Sequence, residues 1–344
     1  MNIDEIIDNI DSNNLNIAFG RVVNISAVTL TAVGLDVAVG DIVRIESVQK
    51  LYTVLGMVTV LNDDMFVIVP FSFIDGFKIN DKVFLQRDGL TIKCGNGLLG
   101  RVVNALGEPI DDLGKIRDLD TNAPINKESM SPLDRGIIDQ KFATGVKAID
   151  SMLTCGKGQK VGIFAGSGVG KSTLMGMIVQ GCEATIKVIA LVGERGREIP
   201  EFIHYNLNNN LENTVIVTAT SDESPLMRKY AAFTAMSIAE YFRDKGHDVL
   251  LMMDSVTRFA MAQREIGLST GEPPVSRGYP PSVFALLPQL MERAGNSKKG
   301  SITAFFTVLV DGDDLNDPIA DQSRSILDGH IVLTRDLTEQ GFYP

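Results

Sequence analysis

Residues 161–182 read VGIFAGSGVGKSTLMGMIVQGC, and the order of the three parts decides the fold. VGIF is a short apolar run with strand character, and STLMGMIVQGC has the composition of a helix. Between them stands AGSGVGKS, residues 165–172, which follows the phosphate-loop pattern G-x-x-x-x-G-K-[ST] with Ala165 at its first position. A methyl group is tolerable there if φ stays negative, and Gly166 and Gly168 still supply flexibility. The backbone N–H groups of Gly166, Ser167, Gly168, Val169 and Gly170 are expected to cradle phosphates, with the helix dipole behind them. Lys171 then reaches the β- and γ-phosphates, the Ser172 hydroxyl is a ligand for Mg²⁺, and Thr173 follows in the first turn. The competing reading is a glycine-rich turn before an ordinary helix. A strand immediately before and a helix immediately after argue against it.

Downstream, apolar strand candidates at 187–192, 214–219, 249–253, 302–309 and 330–333 alternate with helix-length segments, notably 171–183 and 225–243. That alternation predicts a mostly parallel sheet covered on both faces. VLLMM, residues 249–253, ends in Asp254, a carboxylate at a strand tip that can hold a water ligand of Mg²⁺. LVGERGREIP, residues 191–200, ends a buried strand in a cluster of charges. Glu194 lies 23 residues after Lys171 (194 − 171), one helix plus one strand, which returns it to the sheet edge where nucleotides bind. A carboxylate there can orient and polarise an attacking water, with Arg195 and Arg197 balancing its charge. Without the phosphate loop the same residues would read as a solvated turn.

Working outward, residues 15–93 carry short Val-, Ile- and Thr-rich segments punctuated about every ten residues, the pattern of a small antiparallel β-barrel. Barrels of this kind can bind nucleic acid. Residues 15–95 hold seven basic and eight acidic side chains, so the basic footprint is missing, and the net charge of −11 for the chain points the same way. Residues 94–140 are rich in Gly, Pro and Asp and read as an extended connector, and 141–344 as the nucleotide-binding domain. At the start, Ile3, Ile6, Ile7 and Ile10 form one apolar stripe on an acidic helix over 1–14. It either folds back on its own domain or docks a partner. Cys94, Cys155 and Cys182 show no paired spacing, as for thiols in a reducing cytosol, and His204, His247 and His330 no metal-ligand spacing. No run approaches the ~18 apolar residues of a membrane span, and no basic leader opens the chain. The expectation is a soluble cytoplasmic protein.

The motifs GIFAGSGVGKST, LVGERGREIPEFI, LLMMDSVTRFAMAQREI, GEPPVSRGYPPSVFALLPQLMERAGN, GSITAFFTVL, DDLNDPIADQSRSILDGHIVL and GFYP together resemble the flagellar and type III protein-export ATPases. More distantly they are similar to the catalytic subunits of rotary ATP synthases. The resemblance runs from the barrel to the last residue, and AGSGVGKST with GERGRE points to the export branch. It implies an α/β P-loop (RecA-like) domain with a mostly parallel sheet after a small N-terminal β-barrel, and Mg²⁺-dependent ATP hydrolysis energising flagellar protein export. It implies that Glu194 is the catalytic glutamate and Arg195 its neighbouring active-site arginine. Arg258, in DSVTR, approaches the γ-phosphate, and Tyr343, in GFYP, stacks on adenine. Read without the family, Arg258 could be an intrahelical ion-pair partner and Tyr343 a core residue. Implied partners are a homohexamer of the full-length protein, a regulatory stator-like protein at the N-terminal helix, export chaperones and substrates, and export-gate proteins of the inner membrane, with no nucleic acid. Family members continue into an arginine finger, worth about 10³ to 10⁵ in rate, and a C-terminal helical domain. For a chain stopping at Pro344 the expectation is nucleotide binding with slow turnover and poor assembly. A virulence-secretion ATPase, a rotary ATP synthase subunit and a helicase-like nucleic-acid motor are the alternatives.

Overall fold

The computed structural model describes residues 18–47, 52–86, 89–310 and 316–344. The amphipathic stripe of residues 1–14 lies outside them. The chain divides into two compact units, with the boundary between Gly89 and Leu90.

The first unit is a closed antiparallel barrel in the order β1 (Gly20–Ile25), β2 (Leu30–Val33), β5 (Met65–Pro70), β4 (Thr53–Asn62), β3 (Ile42–Glu46), β6 (Lys82–Gln86). Alternate residues point inward, so Val22, Leu30, Ala32, Val43, Ile45, Val58, Phe66, Ile68 and Val83 fill its interior. Closure pairs every strand edge, which removes the template for edge-to-edge association.

The second unit is built on a parallel sheet in the order β18 (Gly329–Leu333), β12 (Lys160–Ala165), β17 (Ser301–Leu309), β15 (Asp248–Asp254), β13 (Ile186–Glu194), β14 (Thr214–Thr220), β8 (Val102–Val103). A short β16 (Gly295–Asn296) pairs antiparallel with β17. The central strands read as continuous apolar runs because both faces are covered, as parallel sheets require. Helices α2 (Lys171–Gly181), α4 (Pro225–Asp244) and α5 (Val256–Ser269) supply much of that cover, with α6 (Pro281–Met291) packed on α5. Shorter elements are α1 (Lys147–Met152), α3 (Glu198–Glu201), α7 (Pro318–Ile326) and α8 (Arg335–Glu339). Sequence and geometry agree on helix starts: Ser224 accepts from the Met227 N–H at 3.2 Å with Pro225 in the first turn, and Ser255 accepts from the Arg258 N–H at 3.3 Å.

Residues 94–140 are woven into this unit. β7 (Thr91–Cys94) pairs antiparallel with β9 (Thr121–Pro124), and β8 extends the sheet beside β14. Farther on, β10 (Lys141–Phe142) pairs with β11 (Cys155–Gly156). One fully buried guanidinium ties the stretch down. Arg293 makes a two-point pair with Glu240 at 3.1 and 2.8 Å, and donates to the Ile125 carbonyl at 2.8 Å and the Ser237 hydroxyl at 2.9 Å. Each charge is neutralised and its hydrogen-bonding groups are used, the condition under which burying an ion pair is tolerable. Removing the cation alone leaves Glu240 charged in the interior. Arg293→Ala is therefore expected to cost about 3–5 kcal/mol in urea unfolding. A loss under about 1 kcal/mol would show that this pair does not hold the unit together.

Candidate active site

The register of the sheet brings chemically distinct tips to one edge. Ala165 of β12 is level with Leu309 of β17, and Asp254 of β15 is level with Leu191 of β13. Groups that are far apart in sequence therefore converge above the carboxyl ends of adjacent strands, where open α/β sheets bind ligands. The loop between β12 and α2 turns there on Gly168 and Gly170, at φ of 80° and 95°, a region that favours glycine. A cavity of about 490 Å³ opens over this edge, lined by the loop, Lys171, Ser172, Glu194, Asp254 and Arg258 among others.

Lys171 Nζ donates to Asp254 Oδ1 at 2.5 Å and stands 3.8 Å from Glu194 Oε1. The Thr307 hydroxyl, from β17, donates to the same Asp254 oxygen at 2.7 Å. Asp254 is thus oriented from two sides. Glu194 is not: its Oε1 is buried and has no hydrogen-bond partner. Burial pushes its carboxyl up to about 7, and the Asp254 charge pushes the same way, against Lys171. A carboxylate with a free buried oxygen, close to a cation and near neutral pH in its titration, has the attributes of a general base.

The neighbouring residues are placed as follows. Among the described residues Arg258 forms no ion pair with a helical carboxylate. Its Nε is buried without a partner, its stem packs on Gly193, and it faces the cavity. Gly193 has φ of 69°, and a Cβ there would stand 3.1 Å from the Arg258 Cβ, so glycine serves both the turn and the arginine. Arg195 does not balance Glu194: its side chain is 65% exposed and pairs with Glu198 at 3.5 Å, and Arg197 is also exposed. The compensating cation is Lys171. Arg195 lines the exposed rim of the cavity from this turn, paired with Glu198 rather than Glu194. Tyr343 is exposed at the rim, not packed in a core, and its hydroxyl lies 3.2 Å from the Thr173 hydroxyl.

Sequence reasoning missed several members. Thr307 left a signal, a polar residue inside the apolar strand SITAFFTVL. Phe202 and Asn206 line the cavity from a π-turn over Phe202–Asn206, and no spacing rule pointed to them. For a metal the donors available are the Ser172 hydroxyl and the Asp254 carboxylate, both hard oxygens. Two such protein ligands with the rest supplied by water and phosphate suit Mg²⁺, which dehydrates reluctantly. Among the described residues no cluster of three or more His, Cys, Asp or Glu could hold a metal by itself, so a softer or more fully caged ion finds no site.

Comparison with known proteins gives matches of three kinds. The family described as "ATP synthase alpha/beta family, nucleotide-binding domain" matches residues 145–344. The flagellum-specific ATP synthase of Helicobacter pylori (strain J99) is 62% identical over 327 residues, covering 95% of this chain and 75% of that protein. The flagellum-specific ATP synthase of Bacillus subtilis (strain 168) is 48% identical over 348 residues, with 100% and 79% covered. The type 3 secretion system ATPase of Xanthomonas euvesicatoria is 46% identical over 327 residues, with 95% and 74% covered. Among solved structures, the assembled ATPase EscN from the enteropathogenic E. coli type III secretion system superposes with a TM-score of 0.89 at 48% identity, covering 94% of this chain and 78% of that one. EscN in complex with its central stalk EscO gives 0.86 at 47% identity, with the same shares covered.

The raised Glu194 carboxyl has a thermodynamic signature without any ligand. Between its ordinary value of 4.5 and about 7, the folded chain keeps a proton that the unfolded chain releases. This group's contribution to stability is complete below pH 4.5 and is lost as pH rises through 7. Glu194→Gln is expected to raise stability on the order of 2 kcal/mol at pH 8 and to leave it little changed at pH 4, measured by urea unfolding. Equal effects at both pH values would contradict the buried, unsatisfied carboxylate.

Proposed function

The chain belongs to the ATP synthase alpha/beta family, and from that premise we propose that it is a Mg²⁺-dependent ATPase that energises protein export through a flagellar type III apparatus. One observation carries the chemical part: the buried, unpartnered oxygen of Glu194, 3.8 Å from Lys171 Nζ at the mouth of the phosphate loop.

Each residue then has a task. The N–H groups from Gly166 to Gly170 and the α2 N-terminus take the phosphate oxygens. Lys171 exchanges its carboxylate partners for phosphate. Glu194 accepts a hydrogen bond from the attacking water and takes up its proton as the bond to the γ-phosphorus forms and the bond from that phosphorus to the β,γ-bridging oxygen breaks, the bridging oxygen leaving with ADP. Arg258, its Nε without a partner, supplies positive charge to the phosphoryl oxygens. Ser172 and Asp254 would hold Mg²⁺, directly and through water. The metal, when bound, neutralises charge on the phosphates. Thr173 and Tyr343 bound the side where a nucleoside extends, and Tyr343 offers an exposed ring for adenine to stack on.

The flagellar assignment rests on 62% identity to a flagellum-specific relative, against 46% to the type 3 secretion relative. A virulence-secretion ATPase is the second reading, favoured by the likeness to EscN, and a rotary ATP synthase-type subunit the third. The proposed working form is a homohexamer in the cytoplasm, at the inner-membrane base of the apparatus, acting on export chaperones and their substrates. It would meet export-gate proteins there, and a stator-like partner through residues 1–14. No helix among the described residues is long and apolar enough to cross a membrane.

Glu194→Gln tests the mechanism. Mg²⁺-ATP hydrolysis is expected to fall about 10²- to 10⁴-fold, the usual share of a general base, while ATP affinity stays within a few-fold. A variant turning over within about fivefold of the parent would remove Glu194 from the role.

A further inference from the structure

Asn206 touches α2 at three positions on one stripe. Its Nδ2 donates to the Ser172 carbonyl at 3.1 Å. Gly176 lies one turn on, and a Cβ there would come within 2.7 Å of the Asn206 Cβ and 2.9 Å of its Nδ2. One turn farther, Gln180 Nε2 donates to the Asn206 carbonyl. Residues 172, 176 and 180 are spaced i, i+4, i+8 and share a helix face. Asn206 therefore sits in a notch that glycine leaves open, held from both ends. It closes a π-turn, Phe202–Asn206, an element that recurs at functional sites.

The chain between Glu194 and Asn206 is short, 12 residues (206 − 194), and carries Glu198, Ile199 and Phe202 into the wall of the active cavity. This arm starts at the strand tip that bears Glu194 and ends clamped to the helix that bears Ser172. α2 packs into the core through Leu174, Met175, Ile178 and Val179, all C-terminal to Ser172. The Asn206 bond adds an attachment at the carbonyl of Ser172 itself. We propose that Asn206 is a positioning residue: it fixes the first turn of α2 against the Glu194 arm, so that the Ser172 hydroxyl is held in the place a Mg²⁺-nucleotide needs. The proposal rests on the ATPase reading above. It adds a residue outside the phosphate loop and the strand tips, and it acts through Ser172 rather than on the nucleotide.

The position predicts which part of binding suffers. Loop N–H groups and Lys171 hold phosphate with or without metal, whereas Ser172 matters only with it. The test is binding of the fluorescent analogue N-methylanthraniloyl-ATP, in Mg²⁺ and in EDTA, to the parent, Asn206→Leu and Gly176→Ala. Leucine keeps the branched heavy-atom shape of Asn206, with somewhat larger methyl groups, and removes its donor. Alanine at 176 keeps the amide and fills its notch. Both variants are expected to reduce the affinity gained from Mg²⁺ about five- to tenfold, with affinity in EDTA within twofold of the parent. The double variant should do no worse than the stronger single one, because both undo one contact. Asn206→Ser, which restores a shorter donor, should recover part of the gain.

A Mg²⁺ gain that survives in both variants overturns the proposal. So does an equal fall in both conditions, which would make Asn206 a strut for the fold, as would a lowered melting temperature with unchanged affinities. A parent protein that gains nothing from Mg²⁺ would sink the ATPase reading and this inference with it. A parent that does gain, beside variants that keep the gain, sinks the inference alone.

Discussion

The site depends on one cation shared by two buried carboxylates. Lys171 bonds to Asp254 and lies within ion-pair range of Glu194, and the wall brings a third carboxylate, Glu198, close by. Among the described residues Lys171 is the one cation within ion-pair range of Glu194, and it is shared with Asp254. Glu194 is the less satisfied of the two, because its buried Oε1 has no hydrogen-bond partner. Asp254, by contrast, is steadied by Thr307 from the adjacent strand. Two carboxylates of the same chemistry are thus given different characters by what surrounds them, one fixed and one ready to accept a proton.

The opposed roles follow from the sheet. Parallel strands place their carboxyl ends side by side, and burial on both faces keeps those ends from shifting. The chain can then spend its strained backbone at the edge: glycines at 168, 170 and 193 take left-handed φ values, and the last of them makes room for the arginine stem that reaches the cavity. The barrel has a different logic, a single closed sheet whose alternating residues pack one another in an apolar interior.

Much of this was legible in the chain. The strand–loop–helix order around AGSGVGKS fixed the phosphate cradle, because each part has a strong local signature. The strands beginning at 160, 186, 214, 248, 301 and 329 were visible as apolar runs for the same reason that they are buried. Glu194 and Asp254 were visible as charges that end such runs. What stayed hidden depends on contacts between segments distant in sequence. Val102–Val103 is too short to show a period, so its place at the sheet edge could not be read. Arg195 looked like the partner of Glu194 because the two are adjacent, yet a strand tip sends successive side chains opposite ways. Asn206 left no trace, since the glycine notch that receives it lies 30 residues upstream (206 − 176) on another element.

The strand order carries a consequence for biosynthesis. The strand leading into the phosphate loop, β12, does not touch β15, whose tip is Asp254, or β13, whose tip is Glu194. Between β12 and that pair runs β17, which is made more than 130 residues later (301 − 165 = 136). On the ribosome, the loop and both acidic tips emerge first; β13 and β15 can pair with each other directly, but β12 has no neighbour to set its loop beside them. Only when residues 301–309 slide in as the wedge does the lysine meet its aspartate. Until β17 is in place, the strand order offers no sheet contact that holds the Lys171 helix's own strand beside the strand that carries Asp254.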